Sequence, residues 1–380
     1  MLTTRIITTD DELAALKTGW NQLAGGEPMC SWNWLATWWK YYRPLKGGGD
    51  RLTGRELRLV AVFDGTEHHD SQLIGVAPWY LDRTIVKGNV LRPLGSGEVC
   101  TDHQSLICSP PDITRVAAAV AEYLTVTDDE WDRLELPAVD VGDPGIDQLT
   151  DELEARECLT TRYAAGNTWI VDLPSSWDDY VESLSHNNRR QVRRVYKRLI
   201  ESGRSQRHIA TCADDFEPVW KVLVDLHQRR RRSLGEPGCF ASRAFHDFHH
   251  EVALHLLATG QLRMSWIDVD GSPIATEYQF VGSKTNYSYQ SGIDPDHMNI
   301  SPGHLANIFS VRRAIEEGRA HFDFLRGDEP YKSFWLATPR PTFDCVMVPN
   351  RRLAKLRGRL THAATTFKDW VKDGVELVTN

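Results

Sequence analysis

The sequence predicts an α/β fold with mixed sheets, arranged as two similar halves. Three observations carry that prediction. The order strand, turn, strand, strand, loop, helix, strand is read between residues 57 and 136 and again between 262 and 325. Each copy has an Asp-Gly turn between its first two apolar runs, at Asp64-Gly65 and Asp270-Gly271, and the second is a hairpin signal. Helical periodicity fills the stretch between the copies and returns after the second. With 380 residues, 41% of them hydrophobic and 25% charged, the chain is long enough for two or three domains with ordinary cores.

Each element has a local reason. A capped helix is expected over 10–20. A very aromatic one follows over 29–42, with Trp32, Trp34, Leu35, Trp38 and Trp39, and the loop Gly47-Gly48-Gly49 ends it. Strands are expected over 57–63, 73–81 and 105–108, a helix over 113–124 and a strand over 131–136. In the second half, strands over 262–269 and 274–281 flank Asp270-Gly271, and a third runs over 285–291. A helix over 302–317 is stopped by Gly318, and a strand over 321–325 follows. Between the copies lie helices over 187–203, 216–232 and 243–258. The first has Val192, Val195, Tyr196 and Leu199 at helical spacing and arginines around the rest of its circumference. The tail, 351–372, reads as a basic amphipathic helix, suited either to a membrane surface or to packing across its own domain. The expected domains are 1–165, 166–350 and a terminal helix within 351–380.

Composition narrows the function. Lys and Arg number 44 against 52 Asp and Glu, so the net charge is −8, which argues against non-specific nucleic-acid binding and against DNA as a partner. Residues 1–10 are polar and carry no apolar signal core, and no apolar run approaches the ~18 residues that span a bilayer. The expectation is a cytoplasmic protein without stable membrane insertion. Seven scattered cysteines, with no Cys-x-x-Cys, read as reduced thiols. His246 and His250, four apart on one expected helix, have metal-ligand spacing but no third ligand, so no metal is expected.

The stretch Ser301-Pro302-Gly303-His304-Leu305 is the most informative. Ser301 suits an N-cap and Pro302 the first helical position. Gly303 adds no side chain where backbone N–H groups are still unpaired, and such a helix start suits a phosphate. The same pattern also describes an ordinary capped helix.

Five blocks in order give the chain a family resemblance: Ser31-Trp32-Asn33-Trp34-Leu35-Ala36-Thr37-Trp38-Trp39; Ser185-His186-Asn187-Asn188-Arg189-Arg190-Gln191-Val192-Arg193-Arg194; Leu226-His227-Gln228-Arg229-Arg230; Ser301-Pro302-Gly303; and Asp323-Phe324-Leu325-Arg326-Gly327-Asp328-Glu329-Pro330-Tyr331-Lys332. Together with the strand, loop, glycine at a helix start and strand, they resemble the GNAT superfamily of N-acyltransferases. More narrowly they resemble its CelD/BcsL-type members, which are related to the Fem peptidyltransferases. The resemblance implies tandem GNAT-like domains, the first degenerate. In the first half the corresponding turn, Ser109-Pro110-Pro111-Asp112, has no glycine and adds a carboxylate. The family's donor turn typically reads Arg/Gln-x-x-Gly-x-Gly/Ala; with Gly303 at its last position, Ser301 stands at the first glycine and Met298 at the basic residue.

The implied activity is transfer of an acyl group, acetyl above all, from acyl-CoA to an amine or hydroxyl of a sugar or small metabolite, as in polysaccharide biosynthesis. Ser301, Gly303 and His304 would hold acetyl-CoA. Direct transfer is expected, because no Ser/Cys–His arrangement stands out. An amine acceptor must lose a proton, so Asp323 or Glu277 is the candidate base. Tyr331 would protonate the leaving thiolate and Lys332 would stabilise carbonyl charge, or the two merely lock a helix-start turn. Lys332 is expected to point into a cleft where the strands 285–291 and 321–325 lie side by side and splay. Arg189 and Arg193, with His227 and Arg229, would bind an anionic substrate, or the arginines form a solvated face. Two other readings stay open: a Fem-like transfer from aminoacyl-tRNA, and a non-catalytic degenerate GNAT binding module.

Overall fold

The computed structural model describes residues 2–44, 54–65 and 71–358. They fall into two compact units. The first draws on Met1–Ala24, Tyr42–Ala165 and Thr342–Asn380, the second on Gly25–Tyr41 and Gly166–Pro341. Both are α/β with mixed sheets, as the sequence predicts.

In chain order the elements begin with β1 (Leu2–Ile7), α1 (Asp10–Ala15), α2 (Lys17–Leu23) and α3 (Trp32–Tyr42). Next come β2 (Gly54–Leu57), β3 (Leu59–Asp64), β4 (Gln72–Ala77), β5 (Trp79–Thr84), β6 (Gly88–Pro93) and β7 (Ile107–Cys108). Then follow α4 (Ile113–Val126), β8 (Arg133–Asp140), α5 (Pro144–Glu154) and β9 (Leu159–Asp172). The helices α6 (Trp177–Ser183) and α7 (His186–Val195), β10 (Ser205–Ile209), α8 (Ala213–Ser233) and α9 (Arg243–Ala258) lead into β11 (Leu262–Val269), β12 (Ser272–Val281) and β13 (Thr285–Ile293). The last are α10 (Pro302–Glu316), β14 (His321–Arg326), α11 (Tyr331–Phe334) and β15 (Thr338–Val348). Most of the terminal helix expected over 351–372 lies outside the described residues.

The first unit has an antiparallel sheet in the order β1-β3-β4-β7 and a second set ordered β15-β8-β6-β5-β2, in which β6 and β8 run parallel. Val62, Val116, Val120, Leu124, Trp131 and Leu134 form part of its core. α4 lies directly on β4 at Gly75, where a Cβ would come within 2.4 Å of the Val116 side chain. The sequence reading placed one strand over 73–81; Pro78 splits it, because a residue without an N–H cannot continue the ladder. The threonine-rich start, read only as polar, is β1; its β-branched residues suit a strand.

The second unit is a six-stranded sheet, β10-β11-β12-β13-β14-β9. β10 to β13 pair antiparallel in sequence, β14 lies parallel to β13, and β14 pairs antiparallel with β9. Helices cover both faces. On one, Trp34 of α3 meets Phe248 of α9 at 5.2 Å and Phe280 of β12 at 5.1 Å, and Trp220 of α8 meets Tyr278 at 6.2 Å. On the other, Leu305, Ile308 and Val311 of α10 join Val192, Val195, Phe322, Phe324 and Trp335. The helix expected over 187–203 is α7 continued by a π-helical stretch, Tyr196–Glu201, which inserts a wide turn; Val192, Val195 and Leu199 still face inward.

Candidate active site

The site is positioned by the way β13 and β14 separate. They pair at only three places, Thr285 with His321, Asn286 with Phe322 and Tyr287 with Asp323. Beyond Tyr287, β13 follows β12 to Ile293, while β14 turns to β9. Two parallel strands that part leave a cleft between their carboxyl ends, where open α/β sheets place ligands. A bulge sharpens the geometry. Tyr278 pairs with Gln290 and Gln279 with Ser288, so Tyr289 is the extra residue. It turns Tyr289 toward the α9 side, where its hydroxyl lies 3.0 Å from Nε2 of the buried His249.

The chain after β13 reaches α10 through the turn Pro295–Ile300, pinned by Arg229. That guanidinium contacts Asp294 at 2.6 Å, Asp296 at 2.9 Å and Asp225 at 3.6 Å. Arg229, expected to hold a substrate anion, instead fastens this loop with three carboxylates. Ser301 is the N-cap of α10, but in the left-handed region at φ 61°, and its side chain makes no capping bond. Its carbonyl takes the N–H groups of both His304 and Leu305, at 3.1 Å each. Pro302 has no N–H. Among the described residues no acceptor takes the Gly303 N–H, which is open to a ligand at the positive end of the helix, and a Cβ on Gly303 would meet nothing within 4 Å. His304 is half-buried against Phe334 at 4.4 Å. Burial, helped by the charge of Arg194, lowers its pKa. The space and the free donor fit a phosphate group; the single remaining N–H makes a sparser cradle than the family signature implies.

The two candidate bases lie on opposite faces of the sheet. Glu277 points to α10, beside Ser310. Burial pushes its carboxyl up to about 7, against the pull of Arg207, and Oε2 has no hydrogen-bond partner among the described residues. Phe322 and Phe324 flank Asp323 and belong to the α10 core, so Asp323 points the other way, beside the Tyr287 hydroxyl. Its Oδ1 accepts the Leu325 N–H at 2.6 Å. The sequence reading treated the two as interchangeable; strand alternation separates them.

Lys332 is 1% exposed. Its ammonium donates to the carbonyls of Leu325 at 3.1 Å, Arg326 at 2.8 Å and Gly327 at 2.7 Å, and pairs with Glu329 at 2.9 Å. All three of its N–H donors are engaged within the turn after β14. Of the two readings open for Lys332, this geometry supports the lock. Tyr331 remains 44% exposed, its ring edge-on to Phe324 at 5.8 Å.

The arginine helix divides by partner. Arg189 and Arg193 both bond to the Glu182 carboxylate. They share one acid, which supports the reading of these arginines as a solvated face rather than a substrate site. Arg190, Arg194, Lys197 and Arg198 are exposed at helical spacing, and no carboxylate pairs with them among the described residues. His246 accepts the Trp220 indole N–H at 3.2 Å, and His250 lies 2.7 Å from Glu217. No metal-binding group of three His, Cys, Asp or Glu occurs among the described residues, and no helix there is long and apolar enough to cross a membrane.

One arrangement escaped the sequence reading. His227 is 2% exposed and lies 3.5 Å from the Cys239 sulfur through Nε2, and 3.2 Å from the Gln228 amide oxygen through Nδ1. The only signal for it was Pro237-Gly238, a turn that brings Cys239 back to the end of α8.

Residues 186–333 match the acetyltransferase (GNAT) domain family. No curated protein matches the sequence. Among solved structures, FemX is similar with a TM-score of 0.57 and 11% identity, over 85% of this chain and 97% of that one. A conserved protein of unknown function from Bacteroides thetaiotaomicron is similar with a TM-score of 0.50 and 12% identity, over 92% of this chain and 100% of that one. At these identities the likeness is one of fold. Fold and matched segment together define the class: the second unit carries a GNAT-type acyltransferase domain.

Proposed function

We propose that the protein moves an acyl group, acetyl in the simplest case, from acyl-CoA to an amine or hydroxyl of a sugar or small metabolite, as a cytoplasmic enzyme of the CelD/BcsL type. The observation that carries this reading is the parting of β13 from β14 next to the open Gly303 N–H. A thioester arm entering the cleft would leave its pyrophosphate at the α10 start. Asp323, the buried carboxylate on the α8 and α9 side, is the candidate base there, and exposed Tyr331 the candidate proton donor. The first unit is read as a degenerate GNAT-like domain. At its corresponding turn the Asp112 carboxylate is bonded to Ser109 at 2.7 Å and Arg115 at 2.9 Å, and opposes phosphate.

Titration calorimetry with acetyl-CoA tests this reading, and absence of binding would overturn it. One observation favours a second reading. The unpaired row Arg190, Arg194, Lys197 and Arg198 suits a longer polyanion, as in an aminoacyl-tRNA donor. Under that reading charged tRNA binds with a steep salt dependence and acetyl-CoA does not bind.

A further inference from the structure

α6, α7 and the last turns of α10 border a groove of about 750 Å³, within the roughly 300–1,000 Å³ of small-molecule sites. It is not the cleft between β13 and β14. At about 1.5 Å per residue, the α10 axis runs about 14 Å from Gly303 to Arg312 and about 20 Å to Glu316, and the groove lies at that far end. No part of the acyl-transfer reading uses it.

Its floor is apolar, with Val181, Val192 and Ile315 buried beneath it. Two half-buried aromatic side chains stand in its walls, Trp177 and Tyr196. The Trp177 indole is stacked on Tyr180 at 5.6 Å and 26°. Tyr180 is itself buried, its hydroxyl donating to the Trp335 carbonyl at 2.7 Å, so the indole rests on a fixed support. Tyr196 opens the π-helical stretch Tyr196–Glu201, and π-helical turns within an α-helix recur at functional sites. Its hydroxyl accepts Nη1 of Arg312 at 2.8 Å, and the guanidinium carbon stands 5.8 Å from the ring centroid. That contact orients Arg312 along the wall.

The charges select the ligand. Arg312 pairs with Glu316 at 2.7 Å, and Arg193, at the rim, is taken by Glu182. Both guanidiniums of the groove are thus held by carboxylates of the chain. An anion would have to displace those partners and would meet the Asp178 carboxylate as well; a cation would meet the guanidiniums. The groove offers N–H donors beside carboxylate lone pairs, over apolar and aromatic surface. Neighbouring hydroxyls, which both donate and accept, match the Arg312–Glu316 pair. The C–H face of a pyranose ring is apolar and slightly positive at its hydrogens, and it matches the negative face of an aromatic ring.

We propose that this groove binds a neutral saccharide, seated against Trp177 and Tyr196 with its hydroxyls on the Arg312–Glu316 pair, at a site separate from that of acyl transfer. It holds the sugar without changing it, and it does not depend on which acyl donor the cleft takes.

Calorimetry of the full chain with cellohexaose, maltohexaose and hexa-N-acetylchitohexaose tests the proposal, with hexagalacturonate and the chitosan hexamer as charged counterparts. At least one neutral hexasaccharide is expected to bind, and the charged two about tenfold or more weaker. Trp177→Ala should weaken the binding about tenfold, as expected for a lost aromatic face. Tyr196→Phe keeps the ring and its packing but frees Arg312, and a fall of about threefold or more is expected. Titration of the unaltered protein needs no variant to fold, and failure of all three neutral hexasaccharides to bind it overturns the proposal. A charged hexamer that binds as tightly as the neutral ones overturns it, and so does binding that survives both substitutions. Competition between the hexasaccharide and acetyl-CoA would overturn the separation of the two sites.

Discussion

Lys332 holds Leu325 in a backbone conformation that leucine rarely adopts: the ammonium takes the Leu325 carbonyl at 3.1 Å, and Leu325 sits at φ +58°. The carbonyls of Arg326 and Gly327 converge on the same nitrogen. Three carbonyl dipoles aimed at one point repel unless a cation stands there. The buried lysine is thus what ends β14 and starts the turn toward α11.

Lys332→Met should leave these acceptors without their donor. A loss of at least about 1–3 kcal/mol is expected, the cost of leaving the buried Leu325 carbonyl unsatisfied, with less from the two part-buried carbonyls that water can reach. Urea denaturation measures it. Because the lysine shapes the cleft rather than the transition state, donor affinity should fall together with turnover. A fall in kcat alone, with affinity and stability kept, would instead restore Lys332 to the reaction centre.

Gly303→Glu tests the donor turn without disturbing the fold. The new side chain enters open space, and its charge at the helix start favours α10 by about 0.3–1 kcal/mol. Thermal stability should hold or rise slightly while acetyl-CoA binding is lost, because a carboxylate would occupy the place of the phosphate. Unchanged affinity by calorimetry would remove Gly303 from the site.

Much of the second unit is legible from residue pattern. Strands over 262–269 and 321–325, the helix from Pro302 and the helix over 243–258 follow from period and caps. Side chains that meet across long separations are not legible in this way. Arg229 looks like a free cation until Asp294 and Asp296 fold back on it. Arg189 and Arg193 look like an anion site until Glu182, from the preceding helix, takes both. Cys239 lies outside any periodic element, so neither helical nor strand spacing could attach it to His227. The face that Glu277 presents depended on a strand register that the hairpin turn alone did not specify. Pattern reports burial and local capping; partner choice is decided by the fold.

Replacing Arg189 and Arg193 by Ala should therefore matter little. Each is part of a partly exposed pair, worth about 0.2–1 kcal/mol, and acceptor use should stay near normal. Replacing Arg190 and Arg194 by Glu should weaken binding of an anionic donor, and the salt dependence of the remaining binding should flatten. Equal effects from the two pairs in steady-state kinetics would deny the distinction between paired and unpaired arginines.

Two buried groups should give the stability profile opposite slopes. Burial holds His227 down to about 4 from its ordinary 6.5, so between these values the unfolded chain binds more protons than the native one. Stability from this residue is present above pH 6.5 and is lost as pH falls toward 4. The buried His249, also driven down, adds in the same direction. Glu277 behaves inversely. Its carboxyl is raised to about 7 from 4.5, so the native chain holds the extra proton, and stability is lost as pH rises through that window. At about 1.4 kcal/mol per unit, each full window is worth about 3 kcal/mol at most. Glu277→Gln mimics the protonated acid and should stabilise the protein at pH about 8 by up to that amount, with little effect near pH 4. The attraction of Arg207 is already contained in the raised value, so it does not reverse the sign. His227→Gln should flatten the acid limb while leaving the share due to His249. Urea midpoints at several pH values measure both. A Glu277→Gln variant less stable than the parent at pH about 8 would mean that the native carboxylate is ionised and held by Arg207.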